Sequence, residues 1–301
     1  MGRGLVGEAC ALMAALTWAL ALVLFKLSGE RVSPLALNLF KSAVGFVLLA
    51  GTLLLQGERF DTLRGFADGD IALLLFSGLV GIALADTVFF HALNLIGVGL
   101  VSIMDCLYSP FVLLFSWWLL SEQLGWPHYL GMSLIVGAVL ISSRHSPPAG
   151  RTRGQLGLGM FLGALSMALM AFGIVIVKPV LEQERVPLVW ATTLRLAAGT
   201  LALSLVALTS ARRRACWAVF RPSAAWKQAL AGSIMGGYLS MILWVAGFKY
   251  TQASIAGVLN QTTVIFAIIL AAVILKERLS RRKVIAVTLA LCGVVIVTVR
   301  P

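Results

Sequence analysis

Long, continuous apolar runs separated by short polar clusters set the pattern of this chain. Continuity excludes the alternating apolar and polar positions of transmembrane strands. A bilayer-crossing helix needs about 20 mostly apolar residues. Ten runs of that kind predict ten crossing helices, over residues 6–27, 34–55, 71–91, 97–120, 128–143, 155–177, 188–209, 229–248, 254–275 and 284–299. Chain breakers stand between them: Ser33-Pro34, Trp126-Pro127, Arg221-Pro222 and, at the midpoint, Ser146-Pro147-Pro148-Ala149-Gly150. The midpoint segment predicts a linker over 146–153, between a first unit at 1–145 and a second at 154–301.

Composition agrees. Of 301 residues, 60% are hydrophobic and only 12% are charged, against about a quarter charged in a soluble domain. A water-soluble globule of this length cannot hide so much apolar surface, and disorder is excluded for the same reason. Ten helices use about 200 residues, so no room remains for a soluble domain. The expected fold class is an all-α integral membrane protein, multi-pass in the plasma (inner) membrane, with the lipid bilayer as its first partner.

The net charge is +12, from 24 Lys and Arg against 12 Asp and Glu. In a soluble protein this would suggest nucleic acid. Here the basic residues sit mainly in short connections, so no nucleic-acid partner is expected and the charge reads as an orientation signal. With ten spans both termini share one side. That side collects seven basic residues and the other fifteen, which places both termini outside by the positive-inside rule. Residues 1–25 carry a single Arg3 before a long apolar stretch. They read as a first span because the stretch is long for a signal peptide and has a counterpart later in the chain. Cys10, Cys106, Cys216 and Cys292 have no metal or redox spacing and read as small core residues. No glycine run has phosphate-loop form and no His, Cys or carboxylate cluster has metal spacing. No cofactor and no metal are expected.

The two halves repeat. Shifted by 155, residues 81–143 lie on 236–298 without a gap, with Glu122 on Glu277, Leu124 on Leu279, Asp105 on Asn260 and Gly81 on Gly236. Shifted by 154, Arg31-Val32 falls on Arg185-Val186, Lys41 on Arg195 and Gly45 on Gly199; a shift of 152 places Lys26 on Lys178. Five spans per half make the second copy enter the bilayer facing the other way. Two inverted five-helix repeats around a central cavity are the architecture of secondary transporters.

At this point the residues resemble a known family. Ser109-Pro110-Phe111 through Ser121-Glu122, then Gly131 and Gly137-Ala138-Val139-Leu140, resemble the fourth and fifth spans of an EamA domain. Asn260 through Lys276-Glu277-Arg278-Leu279, then Gly293-Val294-Val295, looks like the same pattern again. The chain is similar over nearly its whole length to ten-span members of the drug/metabolite transporter superfamily, with two tandem EamA domains. The resemblance implies a ten-helix basket around a central cavity, peripheral fifth and tenth spans, and export or exchange of small metabolites. The sequence departs from the family pattern at Thr17-Trp18-Ala19-Leu20, where Gly-Ser is frequent, at Lys41, where Arg is usual, and at Ile265, which stands where the first half has Pro110.

A charge in hydrocarbon costs about 3 kcal/mol on insertion scales, so polar groups inside spans should face a cavity or a partner. Lys41 lies seven residues past Pro34, about 10 Å into its helix, and Arg195 lies at the matching depth. They read either as snorkelling bases or as two symmetry-related cations able to hold an anionic or carboxylate-bearing solute. Asp86 and Asp105 lie near Lys41's face of the bilayer. One is expected to pair with Lys41. The other, with Asp105 favoured, is a proton-coupling candidate, because desolvation and a nearby cation move a carboxyl in opposite directions. Tyr108, at i+3 from Asp105, together with Asn260 and Gln261, can bond a solute or a neighbouring helix. Trp18, Tyr238 and Trp244 read as cavity aromatics or as interfacial anchors.

These observations predict a secondary active transporter, an exporter or exchanger of a small metabolite or drug-like solute. Alternating access between the inverted halves, with proton coupling, would drive it. The alternative on the same fold is a flippase for a lipid-linked sugar or phosphate. An enzyme is not expected, with three histidines, short loops and no catalytic cluster. One chain can enclose the cavity, and a dimer remains compatible.

Overall fold

The computed structural model describes residues 2–29, 32–58, 60–67, 69–143, 152–211, 213–222, 226–276 and 281–298. The central linker and the Glu277-Arg278-Leu279 motif lie largely or wholly outside the described residues. Among the described residues there are helices and connections and no strand. The first half holds α1 (Gly2–Gly29), α2 (Pro34–Leu55), α3 (Asp70–Gly78), a π-helical segment (Leu79–Leu84), α4 (Ala85–Asp105), α5 (Tyr108–Leu120) and α6 (Trp126–Ser143). The second holds α7 (Arg153–Val175), a short α8 (Lys178–Glu182), α9 (Leu188–Thr209), α10 (Arg213–Ala218), α11 (Trp226–Gly232), a second π-helical segment (Ser233–Leu239), α12 (Ser240–Tyr250), α13 (Ala253–Asn260), α14 (Thr263–Ile274) and α15 (Arg281–Thr298).

The helix starts are coded locally. Ser33 caps α2 by accepting from the Ala36 N–H at 3.3 Å, and Pro34 takes the first position, where its missing N–H is no loss. Thr152 and Gln155 form a capping box at the start of α7. Six stretches are long and apolar enough to cross a bilayer, beside shorter apolar helices over Tyr108–Leu120, Thr263–Ile274 and Val284–Gly293. The outer surface is apolar: Leu55 is 91% exposed and Val273 71%, whereas Lys41 and Arg195 are fully buried. Greasy outside and charged inside is stable only where the surrounding solvent is lipid. The chain is a multi-pass membrane protein.

The structure differs from the sequence reading where helices break. Asp70–Asp105 runs as one 36-residue element, about 54 Å of helix against a hydrocarbon core of about 30 Å. It turns at Gly97, whose φ of 76° and ψ of 173° suit glycine alone. The predicted fourth and ninth spans are each interrupted, at Cys106–Leu107 and at Gln261–Thr262. Pro110 accounts for the first break, because it cannot donate to the Cys106 carbonyl and its ring crowds that group. The second has no proline; there the Thr262 hydroxyl takes the Leu259 carbonyl at 2.8 Å. Cys292 is exposed on the apolar surface rather than in the core, whereas Cys106 and Cys216 are buried.

The duplication is visible in irregular features as well as in helices. The two π-helical segments coincide at a shift of 154–155 positions, and the two mid-span breaks lie 155 apart. Ser121 and Lys276, the two non-glycine residues with positive φ among the described residues, are also 155 apart. Packing exchanges between halves. α1 lies on α12 and α14 while its counterpart α7 lies on α4 and α5; α2 and α9 each pack on the opposite half's π-segment, and α6 packs on α15. At the α3–α9 crossing, a Cβ on Gly78 would stand 2.0 Å from the Arg195 carbonyl oxygen, so the backbones touch only because no side chain intervenes.

Candidate functional site

The crossing of α1, α2, α9, α12 and the broken helices leaves a cavity, part of it continuous with the outside. Its wall is formed by both halves. Nine of the ten residues singled out in the sequence line it: Trp18, Lys41, Asp86, Asp105, Tyr108, Arg195, Trp244, Asn260 and Gln261. Tyr238 is placed elsewhere. Its hydroxyl shares a hydrogen bond with Thr52 Oγ1 at 2.8 Å and its ring packs against the small cluster of Leu49, Ile82 and Leu196. Gly236, Ser240, Met241 and Trp244 are the residues of that helix facing the cavity, and Tyr238, two positions from Gly236, points to another side.

Lys41 and Arg195 are both too deeply buried for snorkelling. Lys41 Nζ donates to Asp86 Oδ2 in a closed ion pair. Its ammonium also lies 5.8 Å from the Trp18 ring centroid and 5.7 Å from that of Phe90. Arg195 is held differently. Its Nε donates to Ser77 Oγ at 2.9 Å, Ser77 in turn donates to the Gly173 carbonyl, and its guanidinium lies 5.2 Å from the Trp244 ring centroid. No carboxylate pairs with it among the described residues, and its Nη1 is buried without a hydrogen-bond partner. The position matching Asp86 in the second half is Met241, which also lines the cavity.

Asp105 ends the first limb of the broken helix and opens onto the cavity, with no ion pair among the described residues. Asn260 ends the matching limb. Asn260 Nδ2, Gln261 Oε1 and Tyr108 Oη are buried without hydrogen-bond partners among the described residues. Buried polar atoms are normally satisfied, so these three stand out on the cavity wall. Tyr108 stands beside Trp244 on the wall, ring centroids 6.4 Å apart.

Sequence reasoning missed three supports. Ser77 orients Arg195. Ser240 and Thr263 bond the α1 carbonyls of Ala14 and Ala15 at 3.1 and 3.4 Å, tying the cavity wall together. Asn38 donates to the Ile82 carbonyl at 2.9 Å and to Thr87 Oγ1 at 2.9 Å, satisfying the widened π-turn. Ser77, Asn38 and Ser240 are single polar residues inside apolar runs, and Thr263 closes the polar run Asn260-Gln261-Thr262-Thr263; that is the available signal.

A second polar cluster lies outside the cavity, at the helix ends. Lys178 Nζ donates to Glu182 Oε1 at 2.6 Å and to the carbonyls of Phe248 and Thr251, and Lys249 Nζ donates to those of Leu181, Gln183 and Val186. Glu122, in the 121–125 connection, is half-buried. Burial pushes its carboxyl up, the nearby Lys178 opposes this and Glu182 adds to it. Glu122 belongs to this structural belt.

Helices greasy outside, polar residues converging inside and a wall shared by two copies define a membrane transport protein. The EamA-like transporter family matches the chain over residues 5–144 and again over 157–299, and the chain belongs to that family. It is 31% identical over 140 residues to "Uncharacterized transporter YoaV" of Bacillus subtilis (strain 168); the match spans 46% of this chain and 44% of that relative. A solved crystal structure resembles it over 97% of this chain and 96% of its own, with a TM-score of 0.73 at 20% identity, which concerns the fold.

Proposed function

We propose that the cavity is the solute site of a secondary active transporter, an exporter or exchanger of a small metabolite or drug-like solute in the plasma membrane. The units 1–145 and 154–301 act as inverted five-span repeats, ten crossings in all, that rock around the cavity in alternating access. The observation that carries this reading is the polar wall built by both halves, on which Asp105 and Arg195 have no ion pair among the described residues. Asp105 is the coupling carboxylate, taking and releasing a proton as access alternates. A flippase would need Lys41 or Arg195 at a lateral opening to the headgroups; both are fully buried, which favours a soluble solute.

The test is reconstitution in liposomes against amino acids, sugars, nucleosides, drugs and organic anions, with and without a pH step. At least one class should show counterflow, and a pH step should accelerate it. Asp105→Asn should abolish the acceleration while thermal unfolding in detergent stays near wild type. Counterflow of no class would overturn transport; an unchanged pH response in the variant would overturn coupling through Asp105.

A further inference from the structure

The charged groups on the cavity wall are not equivalent, and the difference selects a solute. Lys41 and Asp86 neutralise each other in a closed pair. Arg195 has a buried Nη1 with no partner, and beside the cavity Asn260 Nδ2 is a second buried donor with none. Asp105 has no ion pair among the described residues. Among the described residues of the wall, Arg195 therefore keeps an unused donor, Nη1, and no cation closes on Asp105. Trp18, Tyr108 and Trp244 supply an apolar, aromatic remainder.

We propose, resting on the transport reading above, that the solute is an organic monoanion with an apolar or aromatic body. Its anionic group sits on Arg195 and Asn260, and it travels with one proton on the Asp105 carboxylate. Empty, the four charged side chains cancel. An anion alone would leave the buried cavity with net negative charge, which a low dielectric penalises. A proton taken from water by the Asp105 carboxylate restores neutrality, and it returns to water when the anion leaves. The ionisable groups sharing the wall with Asp105 are Lys41, Asp86, Arg195 and Tyr108, with Cys106 adjoining it in the chain. The α7 helix packed against its segment carries no titratable residue from Leu156 to Val175, nor does α14.

Three probes with one aromatic body and different permanent charge test this on the full chain in nanodiscs. They are benzenesulfonate (anion), phenylalanine (zwitterion) and benzyltrimethylammonium (cation), with binding read by calorimetry. Benzenesulfonate should bind tightest, and its affinity should rise as pH falls, by up to about tenfold per pH unit for one linked proton. Asp105→Asn should remove that pH dependence and keep the tight affinity. Arg195→Gln should weaken benzenesulfonate by tenfold or more, and Arg195→Lys should recover part of the loss. Preference for the zwitterion or the cation, binding of none of the three, or pH-independent sulfonate binding by the wild type would each overturn the proposal. The ranking needs no variant to fold. Counterflow of some other solute in the liposome panel would keep the transport reading while this one fell.

Discussion

Lys41 and Arg195 occupy matched positions in two copies of one unit, yet they live in different chemistry. Lys41 has Asp86 and two aromatic rings. Arg195 has a serine and one indole, and Met241 stands where its acid would be. Of two matched cation positions, one is closed by an acid and the other has none among the described residues. A closed pair holds helices together at little net gain; an open guanidinium is an unmet demand that a solute can fill. The lesson is that repeat symmetry locates the cavity, and departures from symmetry single out the side chains whose role the proposal tests.

The largest effect expected from breaking this comparison is on the closed side. Asp86→Ala should strand a buried ammonium and cost about 3–5 kcal/mol, seen as loss of monodisperse protein and of the thermal transition. Asp86→Leu combined with Lys41→Met should restore most of that stability. Arg195→Met should behave oppositely, with an unfolding temperature unchanged or raised and counterflow lost, because no buried carboxylate loses its counter-charge and Ser77 keeps its bond to the Gly173 carbonyl. Equal destabilisation by both single changes would show that the two sites are alike.

Met241→Asp sharpens the same contrast by giving Arg195 the acid its counterpart has. It should hold or raise the unfolding temperature and reduce solute affinity by about tenfold, the equivalent of 1.4 kcal/mol. Next in size, Gly78→Val should cost about 1–3 kcal/mol through overpacking at the α3–α9 crossing, measured by thermal unfolding. Ser77→Ala should cost about 1 kcal/mol in stability and weaken solute binding by loosening Arg195.

The smallest effect concerns the belt at the helix ends. Glu122 has its carboxyl pushed up by burial, so the folded chain binds that proton more tightly than the unfolded one. The group's contribution to stability is therefore fullest below about pH 4, the ordinary glutamate range, and falls as pH rises through its raised value. Glu122→Gln should match wild type in acid and become relatively more stable toward neutral pH. Parallel unfolding curves at all pH values would contradict this.

Much of this was legible in the sequence because hydrocarbon is an unforgiving solvent. Every charge inside an apolar run had to answer for itself, so Lys41, Asp86, Asp105 and Arg195 could be found without a structure. The 155-residue shift then paired Asp105 with Asn260 and Gly81 with Gly236. The helix interruptions were not legible in the same way. Pro110 signals one break, but its counterpart Ile265 signals nothing, and the second helix breaks there regardless because its place in the fold is the same. Tyr238 shows another limit. A tyrosine in a span reads alike whether it faces a cavity or a neighbour, and only helix phase decided that it bonds Thr52. Pairing was the remaining gap: spacing brought two aspartates near Lys41's face, and only side-chain placement assigned Asp86 to it.

The central claim is that the cavity between the copies opens alternately to the two sides of the membrane. Its most direct test uses a chain stripped of its four cysteines, with Ser240→Cys as a reporter in the cavity wall. Membrane-impermeant thiol reagents would be applied to right-side-out and inside-out vesicles, with and without a solute found in the liposome panel. The account predicts labelling from both sides, slowed by solute. Labelling from one side only under every condition, or from neither, would contradict it.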